Sequence, residues 1–266
     1  MSYQRPDDLA PVDLGWQPEP LWEEWPNGRD TQFVMWRMEQ AFRDVAIQGG
    51  GGRMLDVACG NAFHAPEFAR AGWRVYGLEP SAEMIARANA YAAEHGVRID
   101  VVRGIGEYLP FEDETFDRVI CMSSLDHYAN PAAGMREMAR VLRRDGRIVI
   151  GLVNYAGLGC RLSRAIYRAQ RATRLVPRGK RLLWDDPTEG EHTFEGKTKT
   201  LRRFAAGTLE LERTDGASLF WAVPGWSGLL GLVPGGVSNR LLHGLDRIAR
   251  RVPDASDFVV TTWRKA

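Results

Sequence analysis

From residue 53 to residue 153 the chain alternates short apolar runs with amphipathic stretches, and this rhythm restricts its fold more than any other feature. The runs 53–58, 73–78 (WRVYGL), 97–103 (VRIDVVR), 116–121 (FDRVIC) and 147–153 (RIVIGLV) read as strands. The stretches 62–71, 81–95 and 131–143 carry helical spacing. Ser81 is placed to cap the second helix, and the third starts at Pro131 after Asn130. RRDGR at 143–147 reads as a turn. Apolar strands alternating with helices imply a doubly wound α/β fold, a mostly parallel sheet covered on both faces. Ligands of such sheets sit at the carboxyl ends of the strands, where the strand order reverses. That brings residues 58–62, 78–80, 103–107 and 121–127 around one crevice.

The flanks are less regular. Residues 1–30 are rich in Pro, Trp and acids and read as an irregular cap, with a helix expected over 31–47. After residue 153 the pattern gives a basic amphipathic helix with an irregular tail (158–183) and an acidic loop (184–198). A helix near 199–206, a strand near 208–213, an apolar glycine-broken stretch (223–237), a basic helix (238–251) and a final strand, SDFVVTTWR, follow. One domain over 1–266 is expected: a cap to residue 48, a core over 53–152, an inserted lid over 153–200 and a C-terminal part over 201–266.

The bulk numbers exclude more than they assign. A net charge of +1 gives no global pull toward nucleic acid, and no nucleic-acid partner is expected. Cys59, Cys121 and Cys160 are far apart and odd in number, which argues against a disulfide framework and fits a cytoplasmic location. No Cys-x-x-Cys or His-x-x-x-His spacing occurs, so no metal is expected. The first residues do not have the pattern of a secretory signal, and no apolar window is long enough for a membrane span.

The turn after the first strand is Ala58-Cys59-Gly60-Asn61-Ala62. Small residues there let a ligand approach the backbone, and the following helix points its N–H groups at it. A dinucleotide would call for G-x-G-x-x-G, which is absent, although Glu79 closes the second strand where a carboxylate can take both hydroxyls of a ribose. The combination suits a nucleoside ligand without a pyrophosphate cradle.

Here the sequence resembles the class I S-adenosylmethionine-dependent methyltransferases, in the small-molecule branch that includes the ubiquinone and menaquinone methyltransferases. LDVACGNA resembles their first motif, D-x-G-x-G-x-G, with alanine at positions 58 and 62 in place of glycine. YGLEPS resembles the second, GIGEYLPF (104–111) the adenine loop, FDRVICMSSLDHYANP the fourth, and VLRRDGRIVIG the last core motif. The resemblance implies a Rossmann-like sheet of seven strands and S-adenosylmethionine as cofactor. It implies that Asp56 lies near the methionine amino group, that Gly60 makes room and that Glu79 holds the ribose. Ala58, Cys59, Ala62, Pro80, Met84, Ile105, Gly106, Glu107, Cys121 and Met122 complete the cofactor set. Ile105 stands where the family usually has aspartate, so the adenine contact passes to backbone near Gly106 or to Glu107.

Methyl transfer from a sulfonium chiefly needs alignment, and a hydroxyl acceptor also needs a base. Ser123, Ser124, Asp126 and His127 follow the fourth strand, and His127, Asp126 and Tyr155 are the catalytic candidates, with His192 as a further base. Arg161, Arg164, Arg168 and Arg171 recur on one face of the 158–183 helix, with Leu158, Leu162, Ile166 and Ala169 on the other. A solvated basic face and an anionic or membrane surface both explain this stripe. The expectation is methyl transfer to an O, N or C atom of a small apolar or amphiphilic metabolite. A macromolecular acceptor, a nicotinamide-dependent oxidoreductase and a non-catalytic relative remain as rivals.

Overall fold

The computed structural model describes residues 28–175, 184 and 192–266. The N-terminal tryptophans Trp16, Trp22 and Trp25, the acids of 185–191, and Lys180 and Arg181 lie outside the described residues. The strands are β1 (Gly52–Val57), β2 (Trp73–Glu79), β3 (Asp100–Arg103), β4 (Phe116–Met122), β5 (Leu142–Val153), β6 (Leu209–Ala217) and β7 (Phe258–Lys265). The α-helices are α1 (Arg29–Ala46), α2 (Ala65–Arg70), α3 (Ala82–Glu94), α4 (Pro131–Val141), α5 (Leu158–Ala172), α6 (Thr198–Phe204), α7 (Trp226–Gly231) and α8 (Gly235–Arg251).

The seven strands lie in the order β3-β2-β1-β4-β5-β7-β6, parallel except that β7 runs antiparallel to both neighbours. The strand order reverses between β1 and β4, which opens the crevice beyond Val57 and Met122. Strand alternation splits the core. Leu55 and Val57 join Val119, Cys121, Ile148 and Ile150 on one face, while Met54 joins Val75, Ile120 and Val149 on the other. Apolar residues on both faces are what made these strands read as continuous hydrophobic runs.

Both expected caps are present: Met84 N–H donates to Ser81 Oγ at 3.3 Å, and Ala133 N–H donates to Asn130 Oδ1 at 3.0 Å. Several expectations need correction. RRDGR is no separate turn but an irregularity within β5, where Phe116 pairs with Leu142 and Arg118 already pairs with Arg147. β3 begins at Asp100, because the main chain at 97–99 is still leaving α3. The first core helix starts only at Ala65, since positive φ at Ala58, Gly60 and Ala62 keeps residues 58–62 out of helix. α5 runs to Ala172, and residues 176–183 of the expected irregular tail lie outside the described residues. Its buried face is Gly159, Cys160, Ser163 and Tyr167, whereas Leu158 and Leu162, read as its packed side, are exposed. α7 went unseen because its glycines obscure the period.

α1 is more than a cap. Arg37 donates to both carboxylate oxygens of the fully buried Asp246 on α8, and Arg250 reaches the same carboxylate at 2.6 Å. Arg29 donates to the carbonyls of Leu230 and Val233, and Asp30 accepts from Ala222 N–H. The start of the described chain is thus stitched to its last third.

Candidate functional site

The turn after β1 winds through three left-handed residues, Ala58 (φ 58°), Gly60 (φ 54°) and Ala62 (φ 53°). Glycine adopts this region freely and alanine does so only under strain. The alanines therefore occupy positions whose backbone asks for glycine, in keeping with the motif they replace. Cys59 N–H donates to the Leu78 carbonyl at 3.0 Å, and Ala62 N–H closes back onto the Cys59 carbonyl at 2.8 Å. Gly77 accommodates this packing, since a Cβ there would stand 2.7 Å from Cys59 Sγ.

Glu79 ties the turn to β2. Its Oε2 accepts from Gly60 N–H and its Oε1 from Ser81 N–H, each at 3.0 Å. Burial raises its proton affinity and these two N–H groups oppose the rise. Each oxygen keeps a lone pair for a further donor. Asp56 lies behind the turn, buried, with its pKa pushed up to about 8 by burial and then by the neighbouring Glu79 charge. Two acids converging on one small-residue turn suit a ligand bearing hydroxyls and an amino cation. A Cβ at Gly60 would meet only the Met84 methyl, at 3.5 Å, so the glycine is set by φ and by the open approach to its backbone.

The 104–111 loop closes the same end. Gly104 N–H donates to the Glu79 carbonyl, and Ile105 is buried. A Cβ on Gly106 would land inside the Tyr128 ring. Glu107 accepts from Asn130 N–H at 3.2 Å, which ties it to the start of α4. Sequence reasoning missed what holds this loop. Arg140 donates to the carbonyls of Leu109 and Phe111, and Glu137 accepts from Leu109 N–H. Their spacing on one face of α4 was the available signal. Cys121 Sγ lies 3.1 Å from Ser124 Oγ, and burial pushes its thiol up to about 12. Cys59 is raised too, mainly by burial. Both thiols are thus held as S–H, the less nucleophilic form. Met122 is half-buried, its main chain level with Gly151 of β5, and Pro80 accepts from Arg103 through its carbonyl.

A second group gathers beyond β4. Leu125–His127 forms a short 3-10 turn after β4. Asp126 is buried, and its carbonyl accepts from Thr193 N–H at 2.7 Å, which docks the returning 192–197 segment. That docking sets His192 Nε2 3.3 Å from Asp126 Oδ2 and its ring 4.5 Å from the His127 ring. Gly196 accepts from Tyr155 N–H, and a Cβ at Gly196 would strike the Val153 carbonyl. Burial and then the Asp126 charge push the Tyr155 phenol up to about 12, so it is a protonated donor rather than a base near neutrality. The structure thus gathers Asp126, His127 and His192 with Tyr155 nearby, and keeps Ser123 exposed, its N–H spent on the Gly151 carbonyl.

Comparison with known proteins agrees with this layout. Residues 55–150 match the family model of a methyltransferase domain. The ubiquinone biosynthesis O-methyltransferase of Xylella fastidiosa is 31% identical over 144 residues, covering 54% of this chain and 57% of that protein. The chain thus spans little more than half the length of the curated relatives it matches. A putative methyltransferase from Bacillus halodurans has a similar fold, with a TM-score of 0.55 at 19% identity over 85% of this chain and 97% of that one. So does a Thermotoga maritima S-adenosylmethionine-dependent methyltransferase, described as a possible histamine N-methyltransferase, at 0.54 and 20% identity over 89% and 91%.

Proposed function

From the premise that residues 55–150 are a methyltransferase domain of the class I fold, we propose that this chain transfers a methyl group to an oxygen of a small, apolar or amphiphilic metabolite. The observation that carries the reading is the Glu79 carboxylate braced between Gly60 and Ser81 N–H groups at the sheet's crossover point.

The domain implies S-adenosylmethionine as cofactor, and the residues fit it. Glu79 has lone pairs for a ribose, Asp56 offers a carboxylate to an amino cation, and the Gly60 backbone is open. Ala58, Cys59, Ala62, Pro80 and Met84 shape the same wall, while Ile105, Gly106 and Glu107 close the nucleobase end and Cys121 and Met122 form the floor. The bound cofactor supplies a methyl already activated by its sulfonium. What remains for the chain is alignment, exclusion of water and management of the acceptor's proton.

Asp126, His127 and His192 serve that last task. An oxygen acceptor is favoured by this set, because an amine arrives with its own lone pair while a hydroxyl must lose a proton. Tyr155, held protonated, is placed to donate a hydrogen bond to the acceptor. The lid role falls to the 153–200 segment, whose described return is fastened by Thr193 to Asp126 and by Gly196 to Tyr155. The Xylella relative's name, a ubiquinone-pathway O-methyltransferase, supports an apolar acceptor bearing hydroxyls.

The test is incubation with methyl-labelled S-adenosylmethionine and a cell extract, followed by partition. Label in the organic phase is expected. Label in precipitated protein or RNA overturns the small-molecule reading.

A further inference from the structure

We propose that Asp30 and Asp257 form a proton-operated latch: while a proton neutralises Asp257 the pair holds the Ser218–Ala222 segment in place, and loss of that proton lets the segment open. The latch goes beyond the methyl-transfer reading and does not rest on it. Ser218–Ala222 follows β6, and every second residue in it is left-handed, Ser218 at φ 59°, Phe220 at 68° and Ala222 at 54°. None of these is glycine, so the segment keeps this shape only because its surroundings impose it. A set of buried acids does so. Asp246 Oδ1 accepts from Ser218 N–H at 3.1 Å, Asp257 Oδ2 from Trp221 N–H at 2.9 Å and Asp30 Oδ2 from Ala222 N–H at 3.2 Å.

The three acids differ in their charge balance. Asp246 is neutralised by Arg37 and Arg250. Asp30 and Asp257 are 2% and 1% exposed, and among the described residues neither has an arginine, lysine or histidine partner. Asp30 Oδ1 and Asp257 Oδ1 are buried without a hydrogen-bond partner. Beside Asp30, the Arg29 guanidinium is spent on the Leu230 and Val233 carbonyls and on Ser238 Oγ, and the Thr31 hydroxyl takes the Trp221 ring N–H. Asp257 faces Gly159 in the first turn of α5, Cys160, whose thiol burial pushes up to about 11, and the Asp30 charge. From the end of β5 only the Asn154 N–H reaches it, donating to its main-chain carbonyl. Two buried carboxylates without a counter-charge are costly, and one proton removes the conflict. Burial pushes Asp257 up to about 7 against the pull of the Trp221 N–H, and the Asp30 charge adds to the rise.

The latch reaches Tyr155. The Trp221 ring packs edge-on against Trp184 at 5.3 Å, and Trp184 against Tyr155 at 5.5 Å. Opening withdraws Trp221 from this stack, so Tyr155 loses its backing. Once opened, Asp257 stands in water with a pKa of about 4. Opening therefore releases a proton between about pH 4 and about pH 7. Its equilibrium constant rises roughly tenfold per pH unit over that range and levels off above about pH 7, where the closed form has lost the proton too.

Hydrogen exchange on the full chain at about pH 5–8, without cofactor or acceptor, tests this, with rates corrected for the intrinsic pH dependence of exchange and the amides of β5 as internal reference. Protection of the Trp221 and Ala222 N–H groups is expected to fall about tenfold per pH unit up to about pH 7 and to level off above it. Asp257→Asn, which stays neutral, removes the slope. Asp30→Asn keeps the slope but moves the levelling point to lower pH, since the like charge that raised it is gone. Protection independent of pH in the unaltered chain, or one profile shared by all three chains, overturns the latch. If Asp257→Asn does not fold, as loss of β5 protection reveals, Asp30→Asn decides alone, and an unmoved levelling point overturns the proposal.

Discussion

Residues 56–62 with 77–81 form one side of the candidate site, at the ends of β1 and β2; residues 126–127, 155 and 192–196 form another, beyond β4 and β5. On the first side the bracing contact spans 19 positions, Gly60 to Glu79, and its donors are backbone N–H groups. On the second side the fastening contact spans 67 positions, Asp126 to Thr193, and the chemistry lies in side chains drawn from three segments. The first side is an adapter for a fixed ligand, made from strand ends and small residues. The second is assembled only where residues 192–196 come back to Asp126 and Tyr155, so its chemistry can change without disturbing the sheet.

The largest expected effect lies on the assembled side. His127→Ala lowers turnover by about 10²-fold or more while cofactor affinity stays within a factor of two. Steady-state kinetics beside calorimetry measure both, and a parallel loss of cofactor affinity would erase the division. Next is Glu79→Ala. It strands two backbone donors and removes the ribose acceptor, so the cofactor dissociation constant rises roughly 100-fold, at about 1.5–3 kcal/mol per charged hydrogen bond. Unchanged affinity would remove Glu79 from the ribose role.

Asp56 gives a pH test. With its pKa near 8, the free chain carries it mostly protonated at pH 6.5, while an amino cation favours the carboxylate. Cofactor affinity therefore rises with pH, up to tenfold per unit, and levels off above about pH 8, with a proton released on binding. Stability of the free chain moves the other way. The folded state keeps a proton that the unfolded state sheds above about pH 4, so this contribution is complete at low pH and is lost as pH rises toward 8. Asp56→Asn flattens both slopes, and calorimetry with thermal unfolding across pH 5–9 measures them.

Gly106→Ala drives a methyl into the Tyr128 ring and costs about 1–3 kcal/mol in thermal unfolding. Ala58→Gly has the smallest effect. Relief at φ 58° is partly cancelled by added freedom of the unfolded chain, leaving a gain of about 1 kcal/mol or less. A loss there would mean that the Ala58 methyl packs usefully.

What the sequence disclosed follows the same division. Strands β1, β2 and β4 and both caps were legible, because apolar runs and small turn residues are local signals. β3 and the middle of β5 were misjudged, since a charged DGR inside a strand looks like a turn until the pairing across Arg118 is seen. The leucines marked opposite the arginines on the 158–183 helix are not its buried face: α5 buries Gly159, Cys160 and Ser163, because close approach outweighs hydrophobicity, and α8 buries Leu242 and Ala249 beside Asp246, which the Arg37 ion pair holds. His192 was named as a candidate base, but its meeting with Asp126 depends on tertiary return, which no spacing rule contains.

The order of the strands also bears on how the molecule is made. β7, the last strand in chain order, lies between β5 and β6. While the polypeptide is emerging from a ribosome, the β5 edge and β6 must both wait for Phe258–Lys265 before either is paired there. An open edge is a template for another chain. Exposure to misassociation is thus greatest after β6 has emerged and before Phe258–Lys265 follows it, when most of the core has already formed.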